Sequence, residues 1–265
     1  MRSIPAGMRF LVVPSALAAV VVFAACSGSD TKTVTVERTV TEVATSTTAD
    51  ESATTVALYF LRDGKLAPVS RGVVAGSESD LATAAVEELV AGPEGEAALD
   101  TAIPDATTPG SVEVNGDLAT VQLTPEPKDR TARAQVVYTL TAVPNVKRVS
   151  FGGGSPVGRK AFEPQTPAIL VESPLPNEQV EPGFEVKGTA NTFEATFNYE
   201  LRDAVGKVLR KNFVTATSGS GTRGTFEFTV PYEIDHPQQG RLVVFELSAE
   251  DGSRINESEI PLRLE

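Results

Sequence analysis

The stretch FGGGSPVGRK at residues 151–160 holds residue types that could bind phosphate through a glycine-rich loop. Gly153 and Gly158 have the spacing of such a loop, but Arg159 stands where lysine is required, and Lys160 stands where serine or threonine is required. The loop also needs a helix at its end, whose backbone amides meet the anion. Three prolines oppose a helix here: Pro156, Pro164 and Pro167. The stretch is therefore predicted to end a strand, turn, and lead into a second domain.

The only histidine and the adjacent glutamates do not form a catalytic pattern. His236 lies between Asp235 and Pro237 in a polar loop, and an acid adjacent in sequence usually points away from the imidazole. Glu87 and Glu88 are consecutive on a predicted helix and face about 100° apart, which favours a solvated face over an acid–base pair. We predict no catalytic residue, and a hydrolase with a carboxylate pair is the weakest of the functions considered.

Neither a metal site nor a cofactor site is predicted. One Cys and one His are too few for a zinc site of the usual kind. Asp203 with Gly206, and Asp251 with Gly252, offer carboxylates to Ca²⁺, but the chain has no oxygen-rich calcium loop, and turn chemistry explains both pairs.

A set of aromatic residues is predicted to lie in the core, with a partner-binding patch as the alternative: Phe193, Phe197, Tyr199, Phe226 and Phe228.

The composition is that of a folded, acidic protein. The chain has 265 residues, 41% of them apolar, and a formal net charge of −12. Phosphate backbones are bound by clustered lysine and arginine, so this balance argues against nucleic acid. The length is sufficient for two modest domains.

The first 25 residues have the pattern of a signal peptide. Arg2 and Arg9 precede an uncharged apolar run from Phe10 to Ala25, which is too short for a typical membrane span. FAAC at residues 23–26 resembles the lipobox of bacterial lipoproteins. The resemblance implies cleavage before Cys26 and acyl chains that hold the protein on the membrane. Ordinary cleavage nearby, which would leave a free thiol, is the alternative.

Residues 26–55 are rich in Thr, Ser, Ala and Val and have no aromatic residue. Such a composition cannot bury enough apolar area to offset the entropy of ordering. We predict a solvated tether that carries the folded domains on the extracytoplasmic face of the cell membrane.

Residues 56–162 predict a small α+β domain. A strand at 56–61, a turn at Arg62-Asp63-Gly64 and a second strand precede a helix that begins after Ser77 and ends at Gly92-Pro93. Residues 112–123 predict a hairpin that turns at Asn115-Gly116, with positive φ at both residues. A helix at about 131–143 and a strand at 146–151 complete a layer of two helices on a sheet.

Residues 168–265 predict an all-β sandwich of immunoglobulin type. Seven short apolar runs recur about every ten residues, with turn residues between them. The alternation Phe193, Ala195, Phe197 and Tyr199 predicts one buried strand face. Residues 225–230 repeat the pattern.

Both folded units resemble known families. ALYFL (57–61), AAVEELVAGP (84–93), VEVNGDLATVQL (112–123) and ARAQVVYTLTAVPNVKRVSF (132–151) resemble the GerMN domain. SPLPNEQV (173–180), GTFEFTVPY (224–232) and LVVFELSAEDGS (242–253) resemble the immunoglobulin-like domain found beside it in spore-germination and related envelope proteins. The first resemblance implies an extracytoplasmic, commonly lipid-anchored domain that is similar to ring-building modules and is not known as a catalyst.

These observations favour a non-catalytic envelope lipoprotein that binds or assembles with other proteins and is connected with sporulation or germination. Its expected partners are the membrane, through acyl chains on Cys26, and an envelope protein, a second copy of the chain or the cell wall. A lipoprotein that recognises peptidoglycan or polysaccharide is the main alternative.

Overall fold

The computed structural model describes residues 53–96 and 98–265. The predicted signal peptide (1–25), Cys26 and the tether up to residue 52 lie outside the described residues. Five strands and two α-helices follow one another in the first half of the described chain: β1 Thr54–Arg62, β2 Lys65–Val73, α1 Glu78–Ala91, β3 Thr108–Asn115, β4 Leu118–Thr124, α2 Arg130–Leu140 and β5 Arg148–Phe151. A 3₁₀ helix at Arg159–Gln165 and strand β6 at Ile169–Ser173 then lead into the second half.

The hairpin of β1 and β2 forms where the sequence predicts it. Asp63 and Gly64 both have positive φ, 51° and 72°, as a two-residue type I′ turn requires. The strand begins two residues earlier than predicted, because the backbones of Thr54 and Thr55 pair with Val73 and Gly72. Threonine is β-branched and fits a strand well, so the end of the predicted tether belongs to the sheet.

Helix α1 is capped as predicted. The Ser77 hydroxyl accepts a hydrogen bond from the Asp80 N–H at 3.1 Å, which satisfies one of the free amides of the first turn. Leu81, Ala85 and Leu89 lie on its buried face. Gly92 follows the helix with φ of 97°, a conformation that favours glycine.

Strands β3, β4 and β5 form a second sheet. β3 and β4 are antiparallel, and β5 pairs with β4 in parallel after the chain passes through α2. Asn115 is the last residue of β3 and pairs with Leu118, so Gly116 and Asp117 form the loop. Gly116 has φ of 60°, whereas Asn115 has no positive φ. The prediction of positive φ at Asn115 was wrong because the loop lies one residue further along the chain.

Helix α2 ends at Leu140, three residues before the predicted end, and buries two polar side chains against β1. Gln135 and Thr139 are fully buried. The Thr139 hydroxyl accepts a hydrogen bond from the Tyr59 N–H at 3.0 Å, and the Gln135 amide donates one to the Tyr59 carbonyl at 3.1 Å. Gln135 also accepts the Ala102 N–H at 2.7 Å. The helix thus satisfies backbone groups of β1 that a neighbouring strand would otherwise bond.

The second half is the predicted immunoglobulin-like sandwich, so the α+β class followed by an all-β unit is confirmed. The strands after β6 are β7 Gln179–Val180, β8 Phe184–Ala190, β9 Thr196–Asp203, β10 Val208–Thr215, β11 Gly224–Val230, β12 Gln238–Leu247 and β13 Arg254–Leu264. One sheet has the order β10-β9-β12-β13-β7 and the other β11-β8-β6. The seven predicted apolar runs correspond to β6 and to β8 through β13, whereas the two-residue strand β7 was not predicted.

The predicted alternation fails at its start. Phe197 and Tyr199 are buried as expected, but Phe193 is 64% exposed. Residues Phe193–Ala195 form a 3₁₀ turn in which Glu194 and Ala195 have positive φ, and β9 begins only at Thr196. The Phe193 N–H donates to the Glu246 carboxylate at 2.8 Å. This hydrogen bond to Glu246 of β12 keeps residues 193–195 out of the extended conformation of a strand.

Replacing Gln135 by Leu should destabilise the protein by about 2–3 kcal/mol, because the Tyr59 carbonyl and the Ala102 N–H would lose a buried partner. Urea unfolding of both proteins measures the difference. Glu88→Leu on the exposed face of α1 is the control and should change the free energy of unfolding by less than about 0.5 kcal/mol. Equal effects of the two substitutions would contradict the assigned role of Gln135.

Candidate functional site

The two folded units meet around four side chains, which we call the junction cluster: Tyr59, Tyr138, Arg159 and Glu172. Tyr59 comes from β1 and Tyr138 from α2 of the first unit. Arg159 is the first residue of the 3₁₀ helix between the units, and Glu172 lies on β6 of the sandwich. All described residues belong to one compact unit by their contacts. The cluster therefore joins elements of both halves within a single body.

Arg159 is the centre of the hydrogen bonds in the junction cluster. Its guanidinium pairs with the Glu172 carboxylate, donates to the Thr141 hydroxyl at 2.6 Å, and donates to the Tyr138 carbonyl at 3.3 Å. The Tyr59 hydroxyl donates to the same carboxylate oxygen of Glu172 at 2.8 Å. The planar guanidinium can serve these three directions at once, which a lysine ammonium at the end of a flexible chain would do less well.

The rings of Tyr59 and Tyr138 flank the charged guanidinium group of Arg159. The Arg159 guanidinium carbon lies 4.7 Å from the Tyr138 ring centre and 5.5 Å from that of Tyr59, within the range of a cation–π contact. The two rings meet edge to face at 5.3 Å. Burial lowers the pKa of Arg159, but Tyr59 and Glu172 outweigh this effect and raise it above its usual value. Arg159 thus stays charged at every physiological pH.

Both tyrosines of the cluster are held neutral. Burial, with the nearby Glu172 charge as a second cause, raises the pKa of the Tyr59 hydroxyl well above its usual value. Burial raises the pKa of Tyr138 to about 12. Because the Tyr59 hydroxyl stays protonated, it always has the hydrogen atom with which it bonds the Glu172 carboxylate. The hydrogen bonds of the cluster therefore keep one arrangement.

Strand β6 joins the apolar cores of the two units. Leu170 packs in the core of the first unit, whereas Ile169 and Val171 pack in the core of the sandwich. All three are at most 5% exposed. Alternate residues of a strand point to opposite faces, so one short strand contributes to both cores.

The segment between the units is bound from both sides. Lys65 of the β1–β2 hairpin donates to the Pro164 carbonyl at 2.8 Å, and Arg130 of α2 donates to the Ala161 carbonyl. From the sandwich, Arg223 donates to the Pro167 carbonyl and to Thr189. Both units thus hold carbonyl groups of this segment through basic side chains.

A groove of about 290 Å³ lies beside the junction. The turn of the β1–β2 hairpin forms one wall, and residues 256–260 of β13 form the other. Strand β6 lies on the edge of its sheet, and β13 pairs with β7 only at Arg263 and Leu264. The groove therefore adjoins strand backbone that has no partner strand on that side.

The candidate catalytic residues that the sequence analysis rejected, His236, Glu87 and Glu88, do not form a common site in the structure. His236 is exposed in the loop before β12, and Glu87 and Glu88 are exposed on α1. The Asp203 carboxylate accepts backbone N–H groups of Val205 and Lys207 in the turn before β10. These positions agree with loop, surface and turn roles.

Asp251 also has a turn role. Its carboxylate accepts the backbone N–H and the hydroxyl of Ser253, at 3.0 and 2.7 Å, and these bonds lower its pKa. Within residues 53–96 and 98–265, no group of three or more His, Cys, Asp or Glu residues is placed to hold a metal ion. In the same ranges, no helix has the length and apolarity to cross a membrane. Cys26, the predicted lipidation site, lies outside them.

The glycine stretch forms a turn, as predicted. Gly152 and Gly153 have φ of 56° and 81°, and the Gly154 N–H donates to the Phe151 carbonyl at 2.8 Å. A short helix does follow at Arg159, contrary to the prediction that the prolines prevent one. It is a 3₁₀ helix with a kink at Phe162 and contains Pro164, so it is not the regular α-helix of a phosphate loop.

Most of the predicted aromatic set belongs to the core. Phe197 and Phe226 meet edge to face at 4.8 Å, and Tyr199 stacks on Phe228 at 4.7 Å. Phe193 is the exposed member of the set. A second exposed phenylalanine, Phe213 on β10, was not among the predicted residues.

Sequence reasoning missed the junction cluster. It treated Arg159 only as a failed phosphate-loop residue and did not single out Glu172. The residues that meet here are up to 113 positions apart, and no local periodicity reports such contacts. A single arginine between a glycine turn and a proline-rich segment was the available signal.

Arg159 and Glu172 should show a coupling free energy larger than that of an exposed ion pair. We expect a double-mutant cycle with Arg159→Met and Glu172→Leu to give more than about 1 kcal/mol, because each side chain is at least about two-thirds buried and shares partners with the other. The control cycle is Arg148→Met with Asp117→Leu, whose side chains are 52% and 44% exposed. Coupling no larger than in that control would contradict the role assigned to the Arg159–Glu172 pair in the junction cluster.

The free energy of unfolding should fall between about pH 10 and pH 12. In this window unfolded tyrosines lose their protons at the ordinary pKa, whereas Tyr138 keeps its proton up to about 12. The stabilisation is therefore complete below pH 10 and is lost as the pH rises through the raised value. Urea unfolding of wild type and Tyr138→Phe across this range tests the claim. The variant should lose less stability, and parallel curves would contradict it.

Two family models match the sequence of the chain, one in each folded unit. Residues 57–153 match the Germane family, described as sporulation and spore germination, and residues 168–253 match Gmad2, the immunoglobulin-like domain of bacterial spore germination. None of the curated proteins matches the chain by sequence. These family matches confirm the resemblance of the two units to GerMN and germination-associated immunoglobulin-like domains.

Solved structures with partial similarity include the tandem GerMN domains of the sporulation protein GerM from Bacillus subtilis. They share 22% identity over 42% of this chain and 46% of that one, with a TM-score of 0.34; this chain thus spans less than half of the GerM structure. A Clostridium perfringens protein described as a lipoprotein shares 15% identity over 43% and 93% of the two chains, with a TM-score of 0.28. CopC from Methylosinus trichosporium OB3b shares 16% identity over 37% and 93%, with a TM-score of 0.23.

The first folded unit is thus a Germane domain, at residues 57–153, and the second is a Gmad2 immunoglobulin-like domain, at residues 168–253.

Proposed function

We propose that this protein is a lipid-anchored, extracytoplasmic envelope protein that acts through contacts with other proteins in sporulation or germination. The basic, apolar and small residues that precede Cys26 support cleavage at that residue and attachment of acyl chains. The tether after Cys26 would then hold the two folded domains outside the membrane.

The observation that carries the proposal is the junction between the domains. Leu170 and its neighbours place one strand in two cores, and Arg159 ties β6 to α2. Two domains joined in this way present their outer surfaces at one fixed spacing and angle. Such an arrangement suits a protein that positions partners, because little ordering of its own domains is required on binding.

A non-catalytic role is supported by the use that the fold makes of its polar side chains. Asp203 and Asp251 satisfy turn amides, and Glu172 accepts from Tyr59 and Arg159. Glu200 is bound by Arg202 and Arg254. Each of these carboxylates has a structural partner that accounts for its position.

Substitution of Cys26 by Ser should move the protein from the membrane fraction to the soluble fraction or leave its signal peptide uncleaved, because serine has no thiol for the acyl chain. Ser27→Ala is the control and should leave fractionation, cleavage and acyl-chain attachment unchanged, with the mass lower only by the oxygen atom that the substitution removes. The measurements are membrane fractionation, mass spectrometry of the mature N-terminus and metabolic labelling with a fatty acid. Unchanged labelling and attachment of the serine variant would overturn the anchor.

Crosslinking on intact cells tests the role in protein contacts. A defined protein partner or oligomer recovered with the wild type, and reduced with Arg159→Met at equal abundance, is the expected result. Recovery of the monomer alone would contradict the proposal. Sedimentation of the purified protein with cell-wall material, with no protein partner recovered, would favour the wall-binding alternative.

A further inference from the structure

The outer strand β10 of the sandwich has one free edge. It forms the end of the five-stranded sheet and pairs there only with β9, from Val208–Arg202 to Thr215–Thr196. Six of its eight residues are exposed. The unpaired backbone groups of such an edge can bond to an added strand.

This edge is basic, although the whole chain is acidic. Lys207, Arg210 and Lys211 are all exposed, and none belongs to the ion pairs found among the described residues. Glu200 lies directly across from Lys211 on β9, but its carboxylate is bound by Arg202 at 2.6 Å and by Arg254 at 2.5 Å. The nearest cross-strand acid is thus already neutralised, and the cations of β10 remain free.

A depression lies on each side of the edge. One, of about 360 Å³, is lined by Lys211, Phe213 and Phe245 among others. The other, of about 400 Å³, is lined by Lys207, Arg210 and Tyr232 among others. Successive residues of a strand point to opposite faces, so a cation borders each depression. Strand addition uses such alternate depressions for the side chains of the added strand.

The first depression also offers an aromatic surface. Phe213 is 64% exposed, and Phe245 is 5% exposed beneath Arg254, whose guanidinium carbon lies 3.9 Å from the ring centre. Both phenylalanines flank Asn198 in the register of the sheet. They therefore lie in one row across the outer face, and an apolar side chain placed against Phe213 would cover exposed apolar surface.

We propose that the free edge of β10 binds an extended, acidic segment of a partner protein by strand addition. The carboxylates of the segment lie beside Arg210 and Lys211, and an aromatic or apolar side chain packs against Phe213. A second copy of β10 is disfavoured as the occupant, because antiparallel self-pairing around these residues would bring like charges together. The inference rests on the proposed role in protein contacts and assigns the chemistry of one partner.

The test uses the full-length wild-type protein, purified in a mild non-ionic detergent, and two fluorescent seven-residue peptides. The acidic peptide has the sequence Thr-Tyr-Thr-Glu-Glu-Thr-Val, whose adjacent glutamates can face Lys211 and Arg210 on opposite sides of the strand while its tyrosine faces Phe213, and in the reference peptide Lys replaces every Glu. Fluorescence anisotropy should give at least about tenfold tighter binding of the acidic peptide. Hydrogen exchange should show slower exchange of β10 amides in the complex, since strand addition bonds those groups.

Two charge-reversal variants make the test specific. Arg210→Glu with Lys211→Glu should weaken binding of the acidic peptide at least about tenfold. Lys128→Glu with Lys147→Glu makes the same change in net charge at exposed positions of the first domain and should leave binding within about twofold. Thermal unfolding of both variants checks that each remains folded.

Three results would overturn the proposal. Equal affinity for the two peptides is the first. The second is binding without protection of β10 amides together with full displacement by polyphosphate, which has no backbone to pair and would indicate a charged patch alone. The third is equal weakening by the two double variants. Because the assay contains no membrane or cell, its failure leaves the Cys26 experiment as a separate test of the proposed function.

Discussion

The sharing of strand β6 between two apolar cores is the constraint on which the rest of this structure depends. Leu170 belongs to the first core, and its neighbours Ile169 and Val171 belong to the second. Removing either core would leave buried apolar surface of this strand facing water, which costs about 25 cal/mol per Å². The units are thus energetically linked through five residues of chain, and the polar contacts around Arg159 fix the angle at which the linked units sit.

Polar groups with buried partners set the local geometry on both sides of that strand. On the first side, Gln135 and Thr139 bond the backbone of Tyr59. On the other, Tyr232 donates to the Val180 carbonyl at 2.7 Å, and Glu246 holds the backbone before β9. Each of these bonds connects segments distant in sequence and demands one arrangement, whereas apolar contacts tolerate small shifts. The fold is driven by burial and made specific by these few bonds.

Local signals in the sequence were sufficient for most elements. Ser77 with Asp80 and Gly92 marked the ends of α1, and Asp63-Gly64 marked the first hairpin, because caps and tight turns depend on residues within a few positions. The failures occur where distant residues decide. Phe193 follows the alternation of a strand but is drawn into a 3₁₀ turn by Glu246, and Arg159 has no local feature that reveals its contact with Glu172. The predicted signal peptide, lipidation site and tether lie outside the described residues and stay predictions.

The hydrogen bonds from helix α2 to the backbone of strand β1 restrict the number of residues that this helix can have in related chains. Gln135 and Thr139 are four residues apart and face β1 together, and Asp129 begins the helix by accepting the N–H groups of Thr131 and Ala132. Inserting one residue between Asp129 and Gln135 would turn the amide by about 100° away from Tyr59. Natural variation in length should therefore accumulate in the loops before Asp129 and after Thr141, while the helical segment between them keeps a constant number of residues.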